Sequence, residues 1–164
     1  MHKWRPPEQG TWKVNVGASV FPQAEHFTVG MVIRDYTGAF VEAKVLALPC
    51  PATVLEAESI EVKEALTWVM QRGYSKVILE TDSLLTVKAL SSSNKYLLEV
   101  GHVIEQYRLL LNEAPGFLVS HIRKQGNKVA HVLARKPCVT NCFHVFTSPP
   151  TDMLETLLND SSNE

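Results

Sequence analysis

The chain has 164 residues, 45% of them hydrophobic and 20% charged, which is the size of one compact domain with enough apolar material for a real core. Its start, MHKWRPPEQG, lacks the apolar stretch of a signal peptide, and its longest mostly apolar run, near Val45 to Leu55, is broken by Pro49 and Pro51. That run is well short of the roughly 18 to 20 residues a membrane span requires, so an intracellular protein of the nucleus or cytoplasm, with no membrane partner, is expected.

Trp4 to Gly10 is a Pro-rich lead-in. From Thr11 the pattern takes period two, Trp12, Val14 and Val16 alternating with Lys13, Asn15 and Gly17, which predicts a first strand. Phe27 to Arg34 and Ala39 to Leu46 are two more β-prone runs joined by DYTG, a tight-turn sequence in which Asp35 is explained by turn chemistry. The chain therefore opens as an antiparallel meander. After Pro51 the period becomes helical: Thr53 and Glu56 have capping-box spacing, and Ala57, Ile60, Ala65, Leu66, Val69 and Met70 recur up to Gly73, a natural stop. KVILET, Lys76 to Thr81, reads as a buried strand. A short helix from about Ser83 to Leu90 follows, then a Ser-rich break and an amphipathic helix with Leu97, Val100, Ile104, Tyr107 and Leu111 on one face. Phe117 to Ile122 is a fifth strand, and Asn127 caps a last helix through Arg135.

This order, β-β-β-α-β-α-α-β-α, implies an α/β domain with one mixed sheet flanked by helices. Residues 1–10 are read as lead-in, 11–137 as the domain and 138–164 as a C-terminal extension. In that extension Leu154, Leu157 and Leu158 suit a short helix, and Asn159 to Glu164 are expected to fray.

Three cysteines, Cys50, Cys138 and Cys142, are an odd number without a signal peptide, which points to reduced thiols rather than a disulfide framework. Cys138, Cys142 and His144 lack an obvious fourth zinc ligand at a usual spacing, so buried thiols are the simpler reading. The net charge of −1 is uneven: Ala114 to Thr151 contains no acid, while Arg123, Lys124, Lys128, Arg135 and Lys136 lie within it. The remainder holds 11 basic and 17 acidic residues. Such a segment is either a solvated basic helix or a surface for a phosphate backbone.

Two carboxylates stand out by position. Glu58 lies early in the capped helix on the face of Val62, Ala65 and Val69, at the edge of the buried stripe. Asp82 closes KVILET at its C-terminal end, where a sheet flanked by helices presents ligand-facing residues. Each also has a purely structural reading, Glu58 as favourable charge near a helix N-terminus and Asp82 as the cap of the next helix.

The ordered motifs go further. W-x-P-P (Trp4 to Pro7), K-V-N-V-x-A-S (Lys13 to Ser19), V-I-R-D-x-x-G (Val32 to Gly38), E-A-E-x-x-x-x-x-E-A-L (Glu56 to Leu66), V-I-L-E-T-D-S (Val77 to Ser83), H-I-R-K-x-x-N-x-V-A-H-x-L-A-R (His121 to Arg135) and P-P-x-x-x-L-x-x-L-L-x-D (Pro149 to Asp160) run through nearly the whole chain. In this order they resemble the plant ribonuclease H-like proteins, relatives of the ribonuclease H module of retroelement polyproteins. The resemblance implies a ribonuclease H-like fold, a five-stranded mixed sheet with three antiparallel strands and then two parallel ones. It also implies four carboxylates holding two Mg²⁺ or Mn²⁺ ions that cut the RNA strand of an RNA–DNA hybrid, hard oxygen ligands suiting such ions. The expected partner is nucleic acid, an RNA–DNA hybrid or a double-stranded RNA-like substrate, met by a monomer.

Carried over by position, the helix carboxylate and metal ligand falls on Glu58 and the strand-end one on Asp82. The other two places depart. The first-strand Asp of N-V-D-A-S falls on Gly17, and the last-helix Asp of V-A-D-x-L-A falls on His131. In the family the first-strand Asp bridges both metals, so its absence weakens both ions. Asn15 shares its face but sits about 6 to 7 Å along the strand and cannot substitute. His131 is either a ligand favouring Mn²⁺ or Zn²⁺ or a surface residue. His121, Arg123, Lys124 and Lys128 are the candidate nucleic-acid contacts. The expectation is an RNase H type-1 domain that binds nucleic acid with cleavage weakened or lost, the alternative being a silent binding or interaction module of retroelement origin.

Overall fold

In a computed structural model, residues 3–21, 25–51, 53–91, 98–136 and 143–161 are described. The meander forms as the alternation requires: β1 is Trp12–Phe21, β2 is His26–Arg34 and β3 is Phe40–Pro49. The β2–β3 turn closes on Asp35, whose Oδ1 accepts hydrogen bonds from Thr37 N at 2.9 Å and Ala39 N at 3.0 Å. Gly38 follows at φ +85°, a conformation costly for any residue with a Cβ.

Helix α1, Val54–Gln71, begins where Thr53 Oγ1 accepts from Glu56 N at 3.1 Å and ends before Gly73 at φ +86°. Strand β4, Val77–Thr81, lies parallel to β1, and β5, Phe117–His121, parallel to β4. Between them come α2, Leu84–Ser91, and α3, Leu98–Glu113. On α3, Leu111 packs against the core, while Leu97 and the side chains of Val100, Ile104 and Tyr107 lie outside the described residues. A 3₁₀ turn, Lys124–Gly126, leads into α4, Lys128–Ala134.

The sheet has six strands rather than five, in the order β5-β4-β1-β2-β3-β6. The sixth, β6 at Phe143–Phe146, pairs antiparallel with β3. It is a four-residue edge strand with an exposed start, too short to show a period in sequence. After it α5, Leu154–Ser161, includes Asn159 and Asp160, so the helix runs on into residues whose composition suggests fraying. Cys138 and Cys142 lie outside the described residues, and His144 packs its ring 4.4 Å from that of Phe146. Among the described residues no helix is long and apolar enough to cross a membrane.

Each face of the sheet carries its own core. On one, Val14, Val16, Phe27, Val29, Met31 and Ile33 pack against Ala57, Val62, Leu66 and Val69 of α1. On the other, Val32, Ala43 and Val45 meet Val129 and Leu133 of α4 and Met153 ahead of α5. Helix α4 lies close to the sheet because Gly17 and Gly30 face each other across β1 and β2. A Cβ on Gly30 would fall 2.7 Å from both Ala130 O and Ala134 N, so backbone meets backbone there.

Beside α4 runs a buried polar network. Asn15, fully buried, accepts from Trp4 Nε1 at 2.8 Å and Arg34 Nη2 at 3.3 Å, and donates to Glu80 and Asn127, both at 3.1 Å. Arg34 stacks 3.6 Å from the Trp4 ring centroid and bonds Asp160 at 2.7 Å. Asn127 makes no side-chain cap to α4, against expectation, and instead donates to Val16 O at 2.9 Å, tying the helix start to β1.

Candidate functional site

The parallel register sets Val16 beside Thr81, so Asp82, just past the end of β4, adjoins Gly17 in the middle of β1. Helix α4 brings His131 over both. Its Nε2 is 2.6 Å from Asp82 Oδ2, and its Cε1 and Nδ1 are each 3.2 Å from where a Cβ on Gly17 would stand. The cap of α2 falls to Ser83, whose Oγ accepts from Thr86 N at 3.3 Å, and this leaves the Asp82 carboxylate to face His131. Ser83 Oγ also donates its one hydrogen to Glu58 Oε2, so the Thr86 hydroxyl, 2.7 Å away, donates to Ser83. Glu58 is thereby held one residue from Asp82, and Val62, Ala65 and Val69 below it on α1 are buried as its face requires.

A third acid, Glu61, is not marked by any motif position. It is 2% exposed, its Oε1 accepting from Thr81 Oγ1 at 3.4 Å. Burial, and then the charges of Asp82 and Glu58, push its carboxyl well above the usual range. A signal for it exists in the sequence: a carboxylate between Ala57 and Ala65 at helical spacing lies inside the apolar stripe. Asn15 is two residues from Gly17, and all its polar atoms are engaged in the buried network.

His121 ends β5 opposite Thr81 and is exposed. Arg123, Lys124 and Lys128 are exposed on the turn and the first residue of α4, the helix that carries His131. The candidate residues thus gather where β4 and β5 end beside the middle of β1: Gly17, Asp82 and His131 touch or adjoin, Glu58 joins through Ser83, and the basic residues lie on the segment from β5 into α4, the helix that carries His131.

This donor set does not fit a two-Mg²⁺ centre. Gly17, where the resemblance puts a bridging carboxylate, has no side chain, and an imidazole fills the space beside it. Among the described residues no three His, Cys, Asp or Glu side chains are placed to hold a metal ion.

A mixed sheet with a leading antiparallel meander, parallel β4 and β5 and helices on both faces is the ribonuclease H-like fold. RNase H1 from the halophilic archaeon Halobacterium salinarum NRC-1 superposes with a TM-score of 0.67 at 21% identity, over 76% of this chain and 94% of that one. LC11-RNase H1, solved in complex with an RNA/DNA hybrid, matches with a TM-score of 0.64 at 18% identity over 74% and 92%. The N-terminal RNase H domain of a Mycobacterium tuberculosis protein matches with a TM-score of 0.64 at 14% identity over 93% and 99%. No curated protein sequence matches the chain. The profile of the family described as reverse transcriptase-like matches residues 15–137, most of the chain, and the protein belongs to that family.

Proposed function

We propose that this protein binds nucleic acid, with an RNA–DNA hybrid as its ligand, and that hydrolysis of the RNA strand is weakened or lost. The observation that carries the reading is the pairing of an altered site with a basic border. The bridging carboxylate is missing at Gly17, His131 stands against that position, and exposed Arg123, Lys124 and Lys128 remain beside it. The likeness of fold to LC11-RNase H1, whose structure holds a hybrid, supports the choice of ligand. On this reading the protein is a monomer of plant retroelement descent, residues 11–137 form the binding domain, and His121 and the three basic side chains meet phosphates and 2′-hydroxyls. Glu58 and Asp82 are what remains of the carboxylate set, and the loss of a bridging ligand removes transition-state stabilisation at about 1.36 kcal/mol for each tenfold in rate.

The test measures hybrid affinity over a salt series, together with cleavage in Mg²⁺ and in Mn²⁺. The protein is expected to bind, with no cleavage above that of Asp82→Asn. Replacing Arg123, Lys124 and Lys128 by Glu should weaken binding and flatten the salt slope by about 0.9 for each phosphate that is no longer neutralised. Unchanged affinity in that triple variant would remove the basic border from the reading, and cleavage that Asp82→Asn abolishes would overturn the loss of activity.

A further inference from the structure

The two departures from the carboxylate set meet in one side chain. His131 Nε2 lies 2.6 Å from Asp82 Oδ2, while the adjoining Cε1–Nδ1 edge of the same ring lies 3.2 Å from the Cβ position of Gly17. Ala130 Cβ, at 3.4 Å from that position, closes the space further. An aspartate at 17 would press its Cβ closer to the ring than ordinary van der Waals separation and send its carboxylate into the same region. Glycine on the strand and imidazole on the helix therefore suit each other sterically.

We propose that His131 fills the room of the absent aspartate and occupies Asp82, so that a nucleic-acid backbone meets this part of the sheet without any divalent cation. The inference rests on the nucleic-acid reading above and deepens it. Four facing carboxylates repel a phosphate unless cations stand between them. Here two of the four remain, and each has a partner from the chain itself: Ser83 Oγ donates to Glu58, and His131 Nε2 lies against Asp82. Glu61, the acid beneath them, is held toward its neutral form by burial. The side chains of Asp82 and His131 are 11% and 28% exposed, so the pair lies at the surface of the same part of the sheet as the basic border.

The experiment measures the anisotropy of a labelled RNA–DNA hybrid at fixed ionic strength in EDTA, Mg²⁺ and Mn²⁺, and calorimetric Mn²⁺ binding without nucleic acid. For the protein as it stands, affinity should agree within about twofold across the three conditions, with no Mn²⁺ heat. Gly17→Asp with His131→Asp should lose at least about tenfold in EDTA, recover in Mn²⁺ and show a Mn²⁺ heat. Gly17→Asp alone should show no such heat, because His131 still stands against position 17. The proposal is overturned if the unmodified protein gains at least about tenfold from Mg²⁺ or Mn²⁺, or if Gly17→Asp alone binds Mn²⁺ as tightly as the double variant.

Thermal unfolding checks each variant. If the double variant does not fold, His131→Ala replaces it: with Asp82 bare, binding should weaken in EDTA and recover in Mn²⁺, and equal affinity in the two would overturn the proposal. Absence of hybrid binding in every condition would refute the nucleic-acid reading instead, and the Mn²⁺ calorimetry of the single and double variants would still decide the steric half.

Discussion

Replacing Asp160 by alanine removes the only charged partner that the described structure gives Arg34 within ion-pair distance, at 2.7 Å. Arg34 is fully buried beneath the Trp4 ring; among the described residues its Nε has no hydrogen-bond partner, and its remaining side-chain hydrogen bond is Nη2 to Asn15 Oδ1 at 3.3 Å. Burial draws the guanidinium below its usual range against the pull of Asp160, so the pair compensates a charge that the interior disfavours. Breaking a buried pair by removing one partner costs about 3 to 5 kcal/mol. At about 2 to 4 °C per kcal/mol for a chain of this size, Tm should fall by roughly 6 to 20 °C. Urea unfolding followed by far-UV circular dichroism measures the loss. Arg34→Met with Asp160→Leu should recover most of it, since a buried pair replaced by apolar residues is often neutral or better. A loss under about 1 kcal/mol for Asp160→Ala would refute the reasoning, because α5 would then not be docked through this pair.

Two further substitutions probe the core. The raised carboxyl of Glu61 contributes stability below its unfolded value, the ordinary 4.5, and loses it as pH rises through the higher folded value, at 1.36 kcal/mol per pH unit. Glu61→Gln should therefore be the more stable protein at about pH 8, with the gap in urea midpoint shrinking toward about pH 5, and a gap that does not change with pH would count against a buried neutral acid. Gly30→Ala places a methyl 2.7 Å from two backbone atoms of α4, so the helix must shift, and a loss of roughly 1 to 3 kcal/mol by thermal unfolding is expected, whereas an unchanged Tm would mean that α4 sits further from the sheet.

The parts of the fold readable in sequence are those set by local rules. Alternation marks β1, the Asp-Gly turn marks the hairpin, and Thr53 and Gly73 bound α1. The placements of Glu58 and Asp82 are legible because one lies early in a capped helix, on its buried face, and the other closes a β-prone run. What stays hidden depends on partners distant in sequence. Trp4 reads as part of a lead-in, yet it is 1% exposed, and Asp160 reads as part of a fraying end, yet it pairs with Arg34 across 126 positions. No local pattern announces such a pair. Asn127 has the residue type and place of a helix cap, but its amide serves β1, a competition between local and long-range partners that composition does not decide. The mutual fit of Gly17 and His131 is likewise out of reach, since two motif positions say nothing about the space between them.

One guanidinium gathers two segments that lie far apart from each other along the chain. Trp4 lies 3.6 Å above Arg34 and Asp160 bonds it at 2.7 Å, so the first and last segments of the described structure meet at a single doorway. A unit with adjoining ends can be spliced into a surface loop of a host protein as one excursion, or rejoined end to end and reopened elsewhere, with little disturbance to the flanking segments.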